Sequence, residues 1–560
     1  MQKIWLNKYP KVVPAQIDVN EYANLLEVFD ESVRKYRNKV AFKNFGVSIT
    51  YNDLDIYAGR FASYLQNTLG LKKGDKIALQ MPNLLQFPIA AFGAMRAGLI
   101  IVNTNPLYTA AEMKHQFNDS GATTLVILAQ FAHLYEQIAH QVPIKNVIVT
   151  EVGDMLGFPK KQLINFVLKT VKKAVPKYNF KHISWCEAIN TGATGTYVQP
   201  TLTNSDIAFL QYTGGTTGVS KGAVLTHQNI IANMLQICSW MRPKLVEGEE
   251  TCLTPLPLYH IFSLTVNCLA FMRYGATNIL ITNPRDIPDF IKTMKKEKFT
   301  IMTGVNTLYN ALAVHPQIKE VDFSHLKISV AGAMALQNAV KERWKQATGT
   351  EVIEGYGLTE TSPVACVNPV DGTDKVGTIG LPVPSTEIKL INDNGEDVTY
   401  KGEPGELSVS GPQVMQGYYN RPDETAKVLK DGWLYTGDVA IMDSEGFFKI
   451  VDRKKDMILV SGFNVYPNEV EDAVAKNPKV LEVAAIGIPD DHSGEIVKVF
   501  VVKKDQSLTE EELTQHCRQY LTNYKVPKKI EFRAEIPKTN VGKVLRRALR
   551  EEELSKLNKK

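Results

Sequence analysis

The chain has 560 residues, of which 44% are hydrophobic, 22% charged and 9% aromatic, the balance of an ordinary globular protein. This composition excludes a disordered or collagen-like chain, and the length predicts about three to five folding units. With 64 Lys and Arg against 59 Asp and Glu, the net charge is +5. That charge is too small to indicate a nucleic-acid-binding protein.

The cysteines and the N-terminus favour a reduced, cytoplasmic protein. No CxxC pair or zinc-site spacing occurs among Cys186, Cys238, Cys252, Cys268, Cys366 and Cys517. The N-terminus lacks the apolar core of a signal peptide. The longest apolar stretch, residues 87–102, contains Arg96 and is shorter than the ~20 residues that span a bilayer, so it predicts a buried helix followed by a strand.

Up to about residue 375, short β-branched runs alternate with stretches that have helical hydrophobic spacing. The runs include TLVIL (124–128), NVIVT (146–150), NILIT (278–282) and KISVAGA (327–333), and the helical stretches include HQNIIANMLQIC and LQNAVKERWKQATG. Alternation of this kind is typical of parallel sheets covered by helices. An α/β fold is therefore predicted.

The pattern changes in the last third of the chain. Short strands separated by Gly and Pro predict a small β-rich subdomain at about 375–452. After the charged stretch VDRKKD (451–456), helices and strands such as PNEVEDAVAK, EVAAIGIP and TEEELTQHCRQYL predict a compact α+β unit. We therefore expect a large N-terminal domain at 1–452 and a small C-terminal domain at 453–560.

Residues 155–186 contain no acidic residue and carry a lysine cluster: Lys160, Lys161, Lys169, Lys172, Lys173 and Lys177. Helical spacing places the following apolar residues on one face: Leu163, Phe166, Val167, Val171 and Ala174. A basic amphipathic helix can lie on an anionic membrane, here the inner face of the cell membrane. A helix packed on its own domain with solvated lysines is the alternative.

The glycine-rich segment YTGGTTGVSKG (212–222) follows the strand-like IAFLQ and precedes the helix-like HQNIIANML. Strand, flexible loop and helix in this order favour phosphate binding, although a polar turn has the same composition. The segment lacks the GxxxxGK[ST] spacing of a P-loop, because Ser220 and Gly222 flank the lysine. The candidate phosphate-binding residues are Thr213, Gly214, Gly215, Thr216, Thr217, Gly218 and Lys221.

A second loop, EGYGLTET (354–361), combines glycines with an aromatic residue, a hydroxyl and a carboxylate. It is not a dinucleotide fingerprint, because Glu360 stands where the third Gly of GxGxxG belongs. Tyr356 could stack on a base, and Thr359 and Glu360 could hold a magnesium ion that bridges phosphates. An ordinary loop is the alternative for this segment.

Three residues further along the chain also suit nucleotide chemistry. Asp438 in YTGDVA and Arg453 in VDRKKD present a carboxylate and a guanidinium, which suit ribose hydroxyls and phosphate. Each could equally belong to a turn or a surface ion pair. Lys543 follows Gly542 in PKTNVGKVLRR, where the alternative is a solvated basic tail.

In this order and spacing, the five segments resemble those of the adenylate-forming superfamily of acyl-CoA synthetases, luciferases and peptide-synthetase adenylation domains. The resemblance covers essentially the whole chain. Further phrases resemble the members that activate long-chain fatty acids: MPNLLQFPIAAFG, NPLYTAAEM, LPLYHIFSLTVNCL, ITNPRDIP, GLPVPSTEIKL, GPQVMQGYYNRPDET and VDRKKDMILVSGFNVYPNEVE.

The resemblance implies two half-reactions. A fatty carboxylate attacks the α-phosphate of ATP, releasing pyrophosphate and leaving acyl-AMP, and the thiol of coenzyme A then displaces AMP. Attack of one anion on another requires positive charge, which magnesium and lysine supply. Fatty acid, ATP and coenzyme A are the implied substrates, and magnesium is the implied cofactor.

The resemblance also implies roles for the candidate residues. Thr213 to Lys221 would cradle the β- and γ-phosphates, and Glu360 with Thr216 would hold magnesium. Thr359 would contact the α-phosphate, while Asp438 and Arg453 would grip the ribose. The nucleotide pocket would be lined by Gly332, Ala333, Glu354, Gly355, Tyr356 and Gly357.

A mobile C-terminal domain is part of the same expectation. Lys543 would reach the α-phosphate and the acyl carboxylate during adenylation. Rotation about a hinge at Lys455 would then bring SGFN (461–464) to the site, where Gly462 would let the arm of coenzyme A pass. His260 would lie beside the acyl carboxylate, with a hydrogen-bonded core histidine as the alternative. The family also suggests a homodimer.

Two departures limit what the resemblance implies. Gly214 stands where many relatives have Ser, and the segment MILVSGFN has Leu459 and Asn464 where relatives often have a basic residue. Two other functions are considered: acyl-adenylate formation with a carrier-protein thiol or oxidation as the second step, and a catalytically inactive fatty-acid-binding protein at the membrane. SGFN favours free coenzyme A, and Lys543 and Glu360 favour catalysis.

Overall fold

A computed structural model of the chain describes residues 3–213, 220–334, 336–461, 463–490, 492–539 and 544–557. The strands are β1 Val40–Asn44, β2 Val47–Thr50, β3 Lys76–Gln80, β4 Ile100–Asn103, β5 Thr124–Leu128, β6 Asn146–Thr150, β7 Ile183–Ser184, β8 Ile207–Thr213, β9 Lys221–Thr226, β10 Thr251–Thr254, β11 Thr277–Leu280, β12 Ile301–Gly304, β13 Ile328–Ala331, β14 Val352–Gly357, β15 Val364–Val367, β16 Leu381–Pro382, β17 Glu387–Ile391, β18 Gly405–Ser410, β19 Gly417–Tyr418, β20 Leu429–Lys430, β21 Trp433–Met442, β22 Phe448–Arg453, β23 Ile458–Val460, β24 Phe463–Val465, β25 Val480–Asp490, β26 Gly494–Lys503 and β27 Lys529–Arg533.

The α-helices lie between these strands. They are α1 Leu25–Tyr36, α2 Tyr51–Ser63, α3 Gln86–Arg96, α4 Ala110–Ser120, α5 Ala132–Glu136, α6 Lys160–Phe166, α7 Trp185–Gly192, α8 His227–Met241, α9 Phe271–Arg273, α10 Ile287–Lys296, α11 Asn306–Ala313, α12 Asn338–Thr348, α13 Pro422–Val428, α14 Pro467–Ala475, α15 Glu510–Cys517 and α16 Arg546–Leu557. Short π-helical segments cover Tyr64–Thr68, Val167–Val171 and Ser263–Ala270, and 3-10 turns cover Ile4–Lys8, Ala129–Phe131, Ala139–Gln141, Pro316–Glu320 and Thr359–Thr361.

Two large sheets form the N-terminal part of the described chain. One has the order β16-β15-β14-β13-β12-β10-β11-β1-β2, and the other has the order β19-β9-β8-β4-β3-β5-β6-β7. The neighbours from β14 through β1 in the first sheet, and from β8 to β7 in the second, pair in parallel. The predicted α/β fold with parallel sheets is therefore confirmed. The apolar stretch at 87–102 forms helix α3 and strand β4, as expected.

A smaller sheet follows, with the order β17-β18-β21-β20 and with β22 beside β21. It lies within the predicted β-rich segment, but that segment also sends strands into both large sheets. β16 pairs with β15, and β19 pairs with β9. The segment is therefore interleaved with the large sheets, which brings residues near 418 to the end of β9.

The C-terminal part has a sheet of its own, with the order β24-β23-β26-β25 and with β27 beside β26. Its apolar core is separate: one cluster of buried residues runs from Trp5 to Phe448, while two others begin at Ile458 and at Ala484. Separate cores are the physical signature of separate domains. A large N-terminal domain is followed by a small C-terminal one, as the sequence predicted.

Helix α8 is buried along almost its whole length. It contacts both β9 and the π-helical segment Ser263–Ala270, and its buried polar side chains such as Asn233 and Gln236 are hydrogen-bonded. Its first turn is capped by Thr226, whose hydroxyl accepts from the Asn229 amide while the Asn229 side chain accepts from the Thr226 amide. The helix thereby forms a fixed support beneath the end of β9.

The lysine-rich segment differs in part from the expectation. The helix covers residues 160–171, so Ala174 lies beyond it, and Ile164 and Leu168 pack on the core. The predicted apolar face is mostly exposed, because Leu163, Phe166 and Val171 are at least 58% accessible. Among the described residues, no helix is long and apolar enough to cross a membrane.

Candidate active site

The predicted phosphate loop joins two antiparallel strands. β8 ends at Thr213 and β9 begins at Lys221, and these two residues lie opposite each other in the ladder. The expected order of strand, loop and helix is therefore wrong, because α8 begins only at His227, after β9. The loop lies at the end of a hairpin and not at a helix N-terminus. Five predicted residues lie outside the described chain: Gly214, Gly215, Thr216, Thr217 and Gly218.

Lys221 has two partners from residues near position 420. Its Nζ lies 2.7 Å from a carboxylate oxygen of Glu424 and 4.6 Å from the centre of the Tyr418 ring. Hydrogen bonds from Lys221 and then Lys427 lower the pKa of Glu424 to about 2. The ammonium group at the base of the loop is therefore held by a carboxylate and an aromatic face.

Half of the second predicted loop, 354–361, is not a loop: residues 354–357 belong to strand β14, and only the remainder forms a turn. Thr359, Glu360 and Thr361 form a 3-10 turn. The Oε1 of Glu360 accepts a 2.6 Å hydrogen bond from the hydroxyl of Tyr418, and its carbonyl accepts a 2.8 Å bond from the Met415 amide. Glu360 is thus held through both its side chain and its backbone. Since Tyr418 also contacts Lys221, the two predicted loops meet at this tyrosine.

Gly357 permits the tight turn that places Thr359 and Glu360. A Cβ built on Gly357 would lie 2.0 Å from the carbonyl oxygen of Pro363, so no side chain fits there. The backbone returns through Ser362, which has a left-handed φ of 67°. Gly355 has no such restriction, because its Cβ would come no closer than 3.6 Å to another atom.

Tyr356, Asp438 and Arg453 form a second polar cluster. The Tyr356 hydroxyl donates a 2.6 Å hydrogen bond to Asp438 Oδ2, and Arg453 Nε lies 3.1 Å from Asp438 Oδ1. Asp438 and Arg453 are direct partners in the β21–β22 ladder. Burial, followed by the charge of Asp438, raises the pKa of Tyr356 well above its ordinary value. The phenol therefore stays protonated and keeps its donor role.

Glu354 lies in strand β14, two residues before Tyr356. Burial raises the pKa of its carboxyl group to about 8, although a hydrogen bond from the Leu336 amide to Oε1 and the charge of Lys341 oppose this shift. Gly332 and Ala333 follow the adjacent strand β13. A Cβ on Gly332 would lie 2.8 Å from the Phe262 ring, and Ala333 has a left-handed φ of 68°.

His260 belongs to a segment that is anchored to the end of β8. The side chain of Gln211, two residues before Thr213, donates a 2.8 Å hydrogen bond to the Tyr259 carbonyl. His260 Nδ1 accepts a 3.3 Å bond from the Phe262 amide. The histidine thus lies near the base of the phosphate loop, and the ring of Phe262 packs against Gly332.

Lys455 lies in the turn between β22 and β23. Burial and then the nearby Arg453 lower the pKa of its ammonium group. The preceding strand, β22, contains Asp452, whose carboxylate accepts hydrogen bonds from the Arg453 and Asn468 amides. Asp452 is fully buried, and desolvation raises its pKa to about 6 despite the nearby Arg546. Gly462 and Lys543 lie outside the described residues.

The described site residues therefore fall into two clusters that share one short segment. Glu360, Lys221 and Tyr418 form the first, and Tyr356, Asp438 and Arg453 form the second. Only four positions of chain separate Tyr356 from Glu360, so the clusters are neighbours. Carboxylates, cations and hydroxyls in this arrangement can bind a nucleotide, with phosphates at the first cluster and the sugar at the second.

Two models of protein families match the chain. The AMP-binding enzyme family matches residues 29–419, and the AMP-binding enzyme C-terminal domain matches residues 469–543. The first match alone covers well over half of the sequence. The chain belongs to the AMP-binding enzyme family.

Similar proteins agree with this membership. The chain is 54% identical to a long-chain-fatty-acid–CoA ligase of Escherichia coli O157:H7 over the full length of both proteins. Among solved structures, the anthranilate CoA ligase AuaEII in complex with anthranoyl-AMP has a TM-score of 0.86, 26% identity and coverage of 97% of this chain and 99% of its own. ATP-bound MatB from Rhodopseudomonas palustris has a TM-score of 0.81, 27% identity and coverage of 94% and 99%.

Sequence reasoning missed Tyr418 and Glu424. Both lie in the phrase GPQVMQGYYNRPDET, which carries the family resemblance, but nothing in it indicates a contact with Glu360 or with Lys221. Tyr418 is separated from these residues by 58 and 197 positions. Only the pairing of β19 with β9 brings them together.

Replacing Gly357 tests the tight turn of this family member. Gly357→Ala should lower the unfolding free energy by about 1–3 kcal/mol or more, because the new methyl group overlaps the Pro363 carbonyl. Gly355→Ala is the matched control, since its methyl group makes only ordinary contacts. Thermal and urea unfolding measure both variants. Equal stability of the two would contradict the turn geometry.

Glu354 should make the stability of the ligand-free protein depend on pH. Its pKa is about 8 in the folded chain and 4.5 ordinarily, so the folded state binds more protons between these values. Stability from this group is therefore present at low pH and is lost as pH rises through this window. Glu354→Gln should flatten the decrease of the unfolding midpoint between about pH 5 and about pH 8. Parallel profiles for the two proteins would contradict the raised pKa.

Proposed function

We propose that this protein is an ATP-dependent ligase that converts a long-chain fatty acid and coenzyme A into fatty acyl-CoA, AMP and pyrophosphate, with acyl-AMP as the intermediate. Its full-length similarity to the Escherichia coli ligase carries the proposal. The two adjoining polar clusters support it, because the first offers the Lys221 ammonium for the phosphates and the second offers the Asp438 carboxylate for the ribose.

In the first half-reaction, a carboxylate oxygen of the fatty acid forms a bond to the α-phosphorus, and the bond to pyrophosphate breaks. Lys221 and the preceding loop from Thr213 bind the β- and γ-phosphates, and Thr359 contacts the α-phosphate. Asp438 accepts from the ribose hydroxyls and is held in place by Arg453 and Tyr356. These groups orient ATP and stabilise the charge that develops during transfer.

The adenine lies against the pocket formed by Gly332, Ala333 and the segment from Glu354 to Tyr356. His260 lies beside the acyl carboxylate. Its segment is tied to the end of β8 by Gln211, which would place the acid near the α-phosphate.

Magnesium is the proposed cofactor, held by Glu360 together with Thr216. The Tyr418 hydroxyl occupies Oε1 of Glu360, so Oε2 is the atom that would reach the ion. One or two carboxylates plus phosphate oxygens are a usual donor set for magnesium. When bound, the ion neutralises the charge on the phosphates.

The small domain supplies the second half-reaction in this proposal. Its predicted start, Arg453, is the last residue of β22 and pairs with β21 of the large domain, so the rotating part follows this strand, where the apolar core changes between Phe448 and Ile458. The small domain rotates about Lys455. This rotation withdraws Lys543 from the site and brings in the segment that contains Gly462. The sulfur of coenzyme A then bonds to the acyl carbon, and AMP leaves with the electron pair. A homodimer, which the family suggests, stays a prediction.

Palmitate-dependent release of pyrophosphate tests the proposal. With ATP and magnesium, the protein should release pyrophosphate, and adding coenzyme A should consume free thiol. Thiol loss with a carrier protein but not with coenzyme A would instead support the other acceptor. No pyrophosphate under saturating conditions would support a fatty-acid-binding protein without catalysis.

Lys543 should matter most in the first half-reaction. Lys543→Ala should lower pyrophosphate release by about 10²–10³-fold, because it removes a cation from the transferring phosphoryl group. Thioester formation from supplied palmitoyl-AMP should fall much less. Lys504→Ala, at an exposed position of the same domain, is the control. Equal losses in both half-reactions for Lys543→Ala would contradict its proposed role.

We further propose that the exposed face of residues 158–173, here called the basic apolar surface, binds the anionic inner face of the cell membrane. Phe158 is 87% accessible, and the exposed Leu163, Phe166 and Val171 are flanked by lysines. Apolar side chains that enter the headgroup region and lysines that pair with anionic lipids act together in such binding. This location suits an enzyme whose substrate partitions into lipid.

Charge reversal tests the basic apolar surface. Changing Lys169, Lys172 and Lys173 to Glu should lower binding to phosphatidylglycerol vesicles on the order of tenfold or more, while activity on a soluble medium-chain acid persists. The control changes three exposed lysines elsewhere to Glu: Lys11, Lys401 and Lys504. Unchanged sedimentation of the first triple variant, or an equal loss in the control, would contradict the proposal.

A further inference from the structure

Tyr418 contacts both Glu360 and Lys221, the two residues that we propose bind magnesium and phosphate. Its hydroxyl donates a 2.6 Å hydrogen bond to Glu360 Oε1, and its ring lies beneath the Lys221 ammonium at 4.6 Å. These two partners come from different large sheets: Lys221 begins β9, and Glu360 follows β14. One side chain therefore contacts both the proposed magnesium-binding carboxylate and the proposed phosphate-binding lysine.

The backbone around Tyr418 is held on two sides. The amides of Gln416 and Tyr419 donate to the carbonyls of Val224 and Gly222 on β9, at 3.1 and 2.8 Å. The Met415 amide donates to the Glu360 carbonyl at 2.8 Å. The main chain therefore fixes the point from which the Tyr418 side chain reaches both partners.

The preceding residues are fixed by α8. The side-chain amide of Asn229 donates to the carbonyls of Pro412 and Val414 at 2.9 and 2.8 Å. After Tyr418, the Thr425 hydroxyl accepts from the Tyr418 amide at 2.8 Å, and Gly417 leaves the room that this contact needs. The segment from Pro412 to Thr425 is thus anchored by hydrogen bonds before and after Tyr418.

The chemistry of the phenol suits this position. A tyrosine hydroxyl can donate one hydrogen bond, and here it donates to Glu360. A carboxylate that accepts from a fixed donor at Oε1 has one defined orientation for Oε2. The aromatic face adds a cation–π contact to the Lys221 ammonium, which also pairs with Glu424.

We propose that Tyr418 is a positioning residue for adenylation: its hydroxyl orients the Glu360 carboxylate toward magnesium, and its ring supports Lys221 where the phosphates bind. The inference rests on the proposed function, and it adds a residue that contacts the proposed ligands Glu360 and Lys221 and acts through them on magnesium and phosphate. Removing the hydroxyl alone should affect magnesium, and removing the ring should affect ATP as well.

Two variants separate these effects. Tyr418→Phe keeps the ring and should raise the magnesium concentration for half-maximal pyrophosphate release by about tenfold, with little change in the KM for palmitate. Tyr418→Leu should in addition raise the KM for ATP by about threefold to tenfold. Tyr419→Phe is the matched control, because Tyr419 is adjacent in sequence but its ring packs with the Lys76 ammonium and the cluster around Tyr212.

Calorimetry can measure how magnesium changes the affinity for ATP in the absence of fatty acid. This readout does not require turnover. The native protein should bind ATP more tightly with magnesium, and Tyr418→Phe should lose most of that gain while keeping its thermal midpoint. If binding behaves in this way but palmitate releases no pyrophosphate, the proposed function fails and the role of Tyr418 stands. A native magnesium dependence in Tyr418→Phe, or an equal shift in Tyr419→Phe, would overturn the inference.

Discussion

The backbone hydrogen bonds of residues 415–419 are the constraint on which the geometry of the site depends. On one side these residues pair with β9, which begins at Lys221, and on the other the Met415 amide bonds to the Glu360 carbonyl. Backbone bonds of this kind form a ladder and do not depend on side-chain rotamers. Lys221 and Glu360, which belong to different large sheets, are thereby held at a fixed separation, as the proposed binding of a polyphosphate between them would require.

Charge balance is the second constraint. Burying a cation is costly without a partner, and each of the two cations that we propose bind the nucleotide has a carboxylate: Lys221 has Glu424, and Arg453 has Asp438. The two pairs differ in rigidity. Asp438 is 4% exposed and also accepts a hydrogen bond from Tyr356, so the Arg453–Asp438 pair is held in one geometry. Glu424 lies on a short helix near the surface, so Lys221 can exchange that carboxylate for phosphate at lower cost.

Local patterns predicted the elements well, and the contacts between them less well. TLVIL (124–128) and NVIVT (146–150) coincide with β5 and β6, because buried parallel strands are continuous apolar runs. The segment 212–222 was predicted to lead into a helix, because the short apolar run of β9, KGAVLT, was not recognised as a strand. Tyr418 could not be found from the sequence, since its role comes from the pairing of a two-residue strand across nearly 200 positions.

The proposed hinge at Lys455 comes directly after another strand pair, β21 and β22. Arg453 is the last residue of β22 and lies opposite Asp438, so the ladder holds it on the large-domain side together with the ribose clamp. Lys454 adds ion pairs with Asp393 and Glu406 on that side. Beyond it, the chain turns toward β23 and the separate core of the small domain. The proposed rotation about Lys455 would therefore leave Asp438 and Arg453 in place, which is what two reactions on one bound nucleotide would require.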